Sequence, residues 1–247
     1  MNRYKITIEY DGTYSAGWQR QNHTKTFQEH LEDAIFAFSG EHRQTFAAGR
    51  TDAGVHALGQ VVHFDLAKFF EPKTVMGALN YYLKDRGIVI CKAEIVSLDF
   101  HARFSAISRS YRYHILNRDY PTVIHNKRAW FVREELDFEL MHKTSQMLIG
   151  THDFSSFRAQ DCQAKNPIRT VQKIQINKVM DFIYIDITAK SFLYHMVRNI
   201  VGTLRLVGGN KITEEEFLTI LQAKNRAKAG PTAPAYGLYL TEVKYND

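Results

Sequence analysis

Cysteine is nearly absent. The 247 residues hold two, Cys91 and Cys162, far apart and in no metal-binding or redox spacing. No apolar run reaches the length of a membrane span, and the opening MNRYKITIEYDG lacks the apolar segment of a secretion signal. These absences point to a soluble, cytoplasmic protein. The chain also lacks G-x-G-x-x-G, a Walker loop, H-E-x-x-H and any nucleophile elbow. Its 11 histidines are scattered, and His152 beside Asp153 fits a loop cap better than a metal site. The expectation is chemistry by protein side chains alone, with no cofactor and no metal.

What is present is a globular composition. Apolar residues make up 45%, with 16 Phe and 13 Tyr, enough for a sizeable core and too many for disorder. The length allows one large domain or two modest ones. The net charge of +6 is unevenly placed: residues 1–105 carry 12 basic and 12 acidic side chains, residues 106–247 carry 20 and 14. Basic residues concentrated in one half suit a polyanion such as nucleic acid.

Periodicity gives the elements. YKITIEY at residues 4–10 alternates as a strand. Thr26 and Glu29 have capping-box spacing, ahead of a helix with Phe27, Leu31, Ile35 and Phe38 on one side. Strands follow at 61–66 and 88–96, with a short one near 45–48. Pro72 suits the start of a helix whose apolar face is Val75, Leu79, Tyr82 and Leu83.

The second half has strands at 109–116, 171–176, 182–189 and 238–245. Asp137 caps a helix bearing Leu140, Met147 and Leu148. A long apolar helix covers 196–206, and a capping box at Thr213 and Glu216 opens one ending near Ala223. Residues 150–169 and the basic stretch 224–234 read as loops. This pattern is α+β, two ferredoxin-like halves at 1–105 and 106–247 with antiparallel sheets and helices on one face. The boundary segment HARFSAISR has no Pro or Gly run, which predicts closely packed halves with the binding surface on an open sheet face or in the groove between them.

Three stretches can carry chemistry. In GRTDAGVHA (49–57), Asp52 sits between Gly49 and Gly54 beside Arg50. It either caps a turn or is held as a nucleophile or base. Arg50 can meet a phosphate or brace the loop, and His56 can carry a proton or serve structure. In FLYHMVRNIVGTLRLVG, Phe192, Met196, Ile200 and Leu204 recur at spacings of four, which places Arg198 near the core. A buried cation needs a carboxylate, Asp52 being the attractive match, unless it snorkels to water. In RSYRY, Tyr111 and Tyr113 share a strand face and offer either core or a stacking surface for a base, with Arg109 and Arg112 near enough to meet phosphates.

Taken together, YDGT (10–13), GWQRQ (17–21), GRTDAGVHA (49–57), FHARFSA (100–106), RSYRY (109–113), FLYHMVRNIVG (192–202) and APAYGLYL (233–240) resemble the A-type tRNA pseudouridine synthases over nearly the whole length. The resemblance implies the pseudouridine synthase fold with an active-site cleft between the halves. It implies an isomerase that turns uridine into pseudouridine in the anticodon stem-loop of tRNA, at positions 38, 39 and 40. Asp52 would be the essential carboxylate, Arg198 its ion-pair partner and Tyr111 the ring stacked on uracil, while Arg50 would handle the flipped nucleotide and His56 would lie near the rim. It further implies a homodimer. The competing readings are a non-catalytic RNA-binding protein of paired sheet domains and a metal-dependent nuclease, for which no carboxylate cluster is found.

Overall fold

The structure is a computed structural model describing residues 1–246. The chain forms two compact units: one of residues 1–107 plus the chain from Tyr239 onward, the other Ser108–Leu238. The division falls two residues past the sequence expectation. The last strand, expected in the second half, groups with the first.

The first unit runs β1 (Asn2–Tyr10), α1 (Phe27–Ser39), β2 (Phe46–Ala47), β3 (His56–Leu66), α2 (Pro72–Tyr82), β4 (Ile88–Val96). β1 lies antiparallel between β4 and β3, and β2 pairs antiparallel with β3. That order, β4-β1-β3-β2, is the ferredoxin-like arrangement. It follows from the alternation read in β1. Tyr4, Ile6 and Ile8 are fully buried, and on β3 Tyr4 faces Phe64 and Ile6 faces Val62. The strand β10 (Leu238–Tyr245) joins in parallel, with Tyr239 opposite His56 and Leu240 opposite Ala57.

Helix α1 starts where expected. The Thr26 side chain accepts the Glu29 N–H, while the Glu29 carboxylate turns to Lys25 Nζ at 2.9 Å. Gly40, left-handed at φ 74°, ends it. Helix α2 has Pro72 in its first turn and buries Val75 and Leu79, but Tyr82 is exposed.

The second unit contains all but the first two residues of β5 (Ala106–Asn117), then β6 (Trp130–Val132), α3 (Phe138–Ser145), β7 (Gly150–Asp153), β8 (Ile168–Val179), β9 (Phe182–Ala189), α4 (Met196–Gly208) and α5 (Glu214–Gln222). Its strand order is β5-β9-β8-β7, antiparallel, with β6 parallel to β5. Three successive strands form a meander here, so this unit departs from the β-α-β-β-α-β pattern of the first.

Two expected loops prove ordered. Residues 150–169 supply β7 and a 3₁₀ turn, Ser155–Phe157, in which Phe157, like Phe154 just before the turn, is fully buried. Their two aromatic anchors were hidden among polar neighbours. The Asp137 cap is present, but α3 ends at Ser145 and buries Met141, Thr144 and Ser145 rather than Leu140. The Thr213–Glu216 box on α5 closes in both directions.

Candidate active site

The loop that bears Asp52 joins β2 to β3. Val55 N–H donates to the Asp52 carbonyl at 3.1 Å, and Gly54 takes φ 82°, a value glycine adopts without strain. The loop is gripped from outside by the two stretches that follow β1. Trp18 N–H donates to the Thr51 carbonyl at 3.1 Å. Gly17, at φ 104°, sits so close that an added Cβ would lie 2.9 Å from the Thr51 carbonyl oxygen. At Gly12 a Cβ would lie 2.3 Å from the Val55 carbonyl oxygen. These contacts explain why YDGT, GWQRQ and GRTDAG occur together: each glycine makes room for the backbone of the Asp52 loop.

The side chains divide by depth. Arg50 is exposed and Asp52 half-buried. His56 is only 2% exposed, so the sequence expectation of a rim position meets a core side chain. Its Nδ1 accepts the Gly12 N–H at 3.1 Å, lies 3.2 Å from Asp11 Oδ1, and its ring stacks on Tyr239 at 4.5 Å and 19°.

Beneath the loop lies a buried polar chain that sequence reasoning missed. Tyr10 Oη is 2.7 Å from Thr51 Oγ1, and Gln60 Nε2 donates to the Gly49 carbonyl at 2.8 Å and to Tyr10 Oη at 3.5 Å. Burial pushes the Tyr10 phenol up to about 12. The hydrogen bonds to Thr51 and Gln60 oppose the rise, and the charge of Asp52 adds to it. The available signal was weak: a tyrosine and a glutamine at strand positions whose neighbours are apolar.

In the second unit, Tyr111 sits in mid-β5 opposite Ile187 of β9. It is 9% exposed and meets the Phe192 ring edge-on, centroids 5.1 Å apart at 88°. Tyr113 shares the face but not the setting. It is fully buried, donates to the Pro234 carbonyl at 2.7 Å, and burial raises its phenol well above the usual value. Of the arginines expected to meet phosphates, Arg109 is buried and donates to the Lys190 carbonyl at 2.7 Å. Arg112 makes a two-pronged pair with Asp186, at 2.8 and 3.0 Å. These partners hold β5 to β9 and the segment after it.

Arg198 belongs to α4 and is half-buried. The helix begins only at Met196, after a left-handed His195 at φ 59°, so Phe192 lies off it. Arg198 Nε donates to the Ala233 carbonyl at 2.8 Å, and Ala233 N–H returns to the Arg198 carbonyl at 3.1 Å. The segment 224–234, expected to be solvated, is fastened along α4. Arg226 donates to the Ala229 and Gly230 carbonyls, Asn199 and Thr232, and Gly230 N–H donates to Thr203 Oγ1. Lys224 and Lys228 remain exposed. The structure therefore gathers Arg50, Asp52 and His56 on one loop-strand corner of the first unit, and Tyr111 and Arg198 in the second. Among the described residues no cluster of three or more His, Cys, Asp or Glu suits a metal ion, and no helix is long and apolar enough to cross a membrane.

A family model described as tRNA pseudouridine synthase matches residues 6–105 and 144–246. The chain belongs to the tRNA pseudouridine synthase A family. It is 49% identical over 245 residues to tRNA pseudouridine synthase A of Rhodospirillum centenum, covering 99% of this chain and all of that one. Against the protein of the same name from Rhodospirillum rubrum it is 47% identical over 245 residues, covering 99% and 88%. A solved Cbf5-Nop10-Gar1 complex aligns with 97% of this chain, which spans 57% of that chain, at 9% identity and a TM-score of 0.36. Membership makes the chain an isomerase, and both matched segments contain residues of the candidate site: Arg50, Asp52 and His56 in the first, Arg198 in the second.

Proposed function

We propose that the chain converts uridine to pseudouridine in the anticodon stem-loop of tRNA, at positions 38, 39 and 40, with Asp52 as the essential carboxylate. The observation that carries the reading is the construction of the Asp52 loop, fixed by two glycine contacts and the Trp18 hydrogen bond. An ordinary connection between two strands does not need so many clamps on its backbone.

The reaction breaks the N1–C1′ bond, turns the uracil and joins C5 to C1′. N1 gains a proton and C5 loses one, so atoms balance without an oxidant or a donated group. The uracil must first leave its stack. In this reading Tyr111 provides the flat surface for the extruded base, and Arg198 is the cation that keeps Asp52 ionised and oriented. Arg50, exposed two residues before Asp52, handles the flipped nucleotide's backbone, and His56 supports the loop from below. An ionised Asp52 is competent for two routes: attack at C1′, or removal of the C2′ proton to give a glycal. In this reading Tyr111 serves first by stacking. A homodimer, one subunit gripping the tRNA body while the other modifies it, completes the proposal.

The test is to incubate the protein with unmodified tRNA in EDTA and map pseudouridine by position. Product within the anticodon stem-loop is expected. Binding without product on several tRNAs would favour a non-catalytic RNA-binding protein. Product only when metal is restored would overturn the metal-free chemistry.

A further inference from the structure

The reaction uses Asp52, yet the polar groups most deeply buried beside it lie one layer below. Gln60 is fully buried, and its orientation is set by its own strand: Val61 N–H donates to Gln60 Oε1 at 3.2 Å, which leaves Nε2 as the donor to Gly49 and Tyr10. Nε2 has no acceptor capacity. The Tyr10 hydrogen therefore has Thr51 Oγ1, at 2.7 Å, as the acceptor in reach among the described residues. The donors point in one direction, from Gln60 to Tyr10 to Thr51. Thr51 in turn is bound to the backbone of residue 52, and its carbonyl is the acceptor for Trp18.

We infer that Tyr10 is a positioning residue for the Asp52 carboxylate: its hydroxyl, oriented by Gln60, holds Thr51 and so fixes the turn that presents residue 52. This inference rests on the reading of Asp52 as the catalytic group. Packing alone does not account for the hydroxyl. The Tyr10 ring already stacks on Phe27 at 4.4 Å and leans on Trp18 at 5.9 Å, contacts a phenylalanine would keep. The phenol is held in its neutral, donating form by burial and by the nearby Asp52 charge.

The experiment is single-turnover pseudouridine formation on unmodified tRNA, with tRNA affinity measured in parallel, well below each protein's melting temperature. Wild type, Tyr10→Phe, Thr51→Val, Thr51→Ser, Tyr10→Phe with Thr51→Val, and Asp52→Ala are compared. Tyr10→Phe and Thr51→Val are each expected to slow the chemical step about tenfold, the scale of one hydrogen bond. Affinity for tRNA stays within about twofold, and the double variant is no slower than either single one, as groups acting through one bond require. Thr51→Ser, which keeps the hydroxyl, restores the rate. A wild-type rate in Tyr10→Phe, losses that multiply in the double variant, or a loss seen only as weaker tRNA binding would overturn the inference. Turnover by Asp52→Ala would instead overturn the catalytic reading on which it rests. An inactive Asp52→Ala beside a fully active Tyr10→Phe would remove only the role given to Tyr10.

Discussion

Replacing Gly17 by alanine tests how tightly the Asp52 loop is clamped. At φ 104° a residue with a Cβ is strained, a cost of about 1–3 kcal/mol. The new methyl would also stand 2.9 Å from the Thr51 carbonyl oxygen, 3.0 Å from Ala53 N and 3.1 Å from the Asp52 carbonyl carbon. All three are backbone atoms, so no side chain can swing aside. Forcing an extra methyl into a packed site costs about 1–3 kcal/mol more. A total of about 2–6 kcal/mol lowers the melting temperature by about 4–24 °C for a chain of this size. Relief requires the loop to move, and a displacement of about 1 Å at a reacting group can cost about a hundredfold in rate. Gly77→Ala is the control. Gly77 is exposed within α2, and nothing lies within 4 Å of its added Cβ, so this change should raise stability by up to about 1 kcal/mol. Thermal denaturation and pseudouridine formation measure both effects. A Gly17→Ala protein as stable and as active as Gly77→Ala would refute the clamp.

Stability should also depend on pH through His63, whose buried ring accepts the Ala102 N–H. Burial, helped by neighbouring His101 and Arg3, lowers it from 6.5 to about 4. Between those values the unfolded chain binds the proton and the folded chain does not, so stability is full above about pH 6.5 and falls as pH drops toward 4. Thermal melts from pH 7 to pH 4.5 should show a shallower fall for His63→Gln than for wild type; equal slopes would contradict this. Thr213→Ala removes one half of the reciprocal cap on α5 and should cost about 1 kcal/mol, read by denaturant unfolding, with activity at low temperature unchanged.

The sequence exposed most of the fold where one face is buried and the other wet. The alternation of Tyr4, Ile6 and Ile8 fixes β1 and, through it, the order of the first unit. The caps at Thr26, Asp137 and Thr213 are local chemistry and hold in the structure. Legibility fails where tertiary contact outweighs local pattern. Phe192 keeps helical spacing with Met196, but a left-handed His195 breaks the helix between them. Residues 224–234 look solvated because their cations are visible. Their carbonyls and amides, which bind Arg226, Thr203 and Arg198, are not written in side-chain identity. Phe154 and Phe157 anchor a segment whose polar residues suggested a loop. For the site, Asp52 stood out through its flanking glycines, but the clamp on its loop from Gly12 and Gly17, which lets the 12–17 segment pack against that backbone, required the structure. Tyr10 and Gln60 gave only a weak signal, since the role of a single tyrosine or glutamine in a strand is not visible until its partner is seen.

The proposed reaction depends most on the carboxylate at position 52. The direct measurement is the single-turnover rate of pseudouridine formation by Asp52→Ala, with tRNA affinity and the melting curve recorded on the same preparation. The expected result is no detectable product from a folded protein that still binds tRNA. A rate within about tenfold of wild type, a difference of about 1.4 kcal/mol in the barrier, would contradict it.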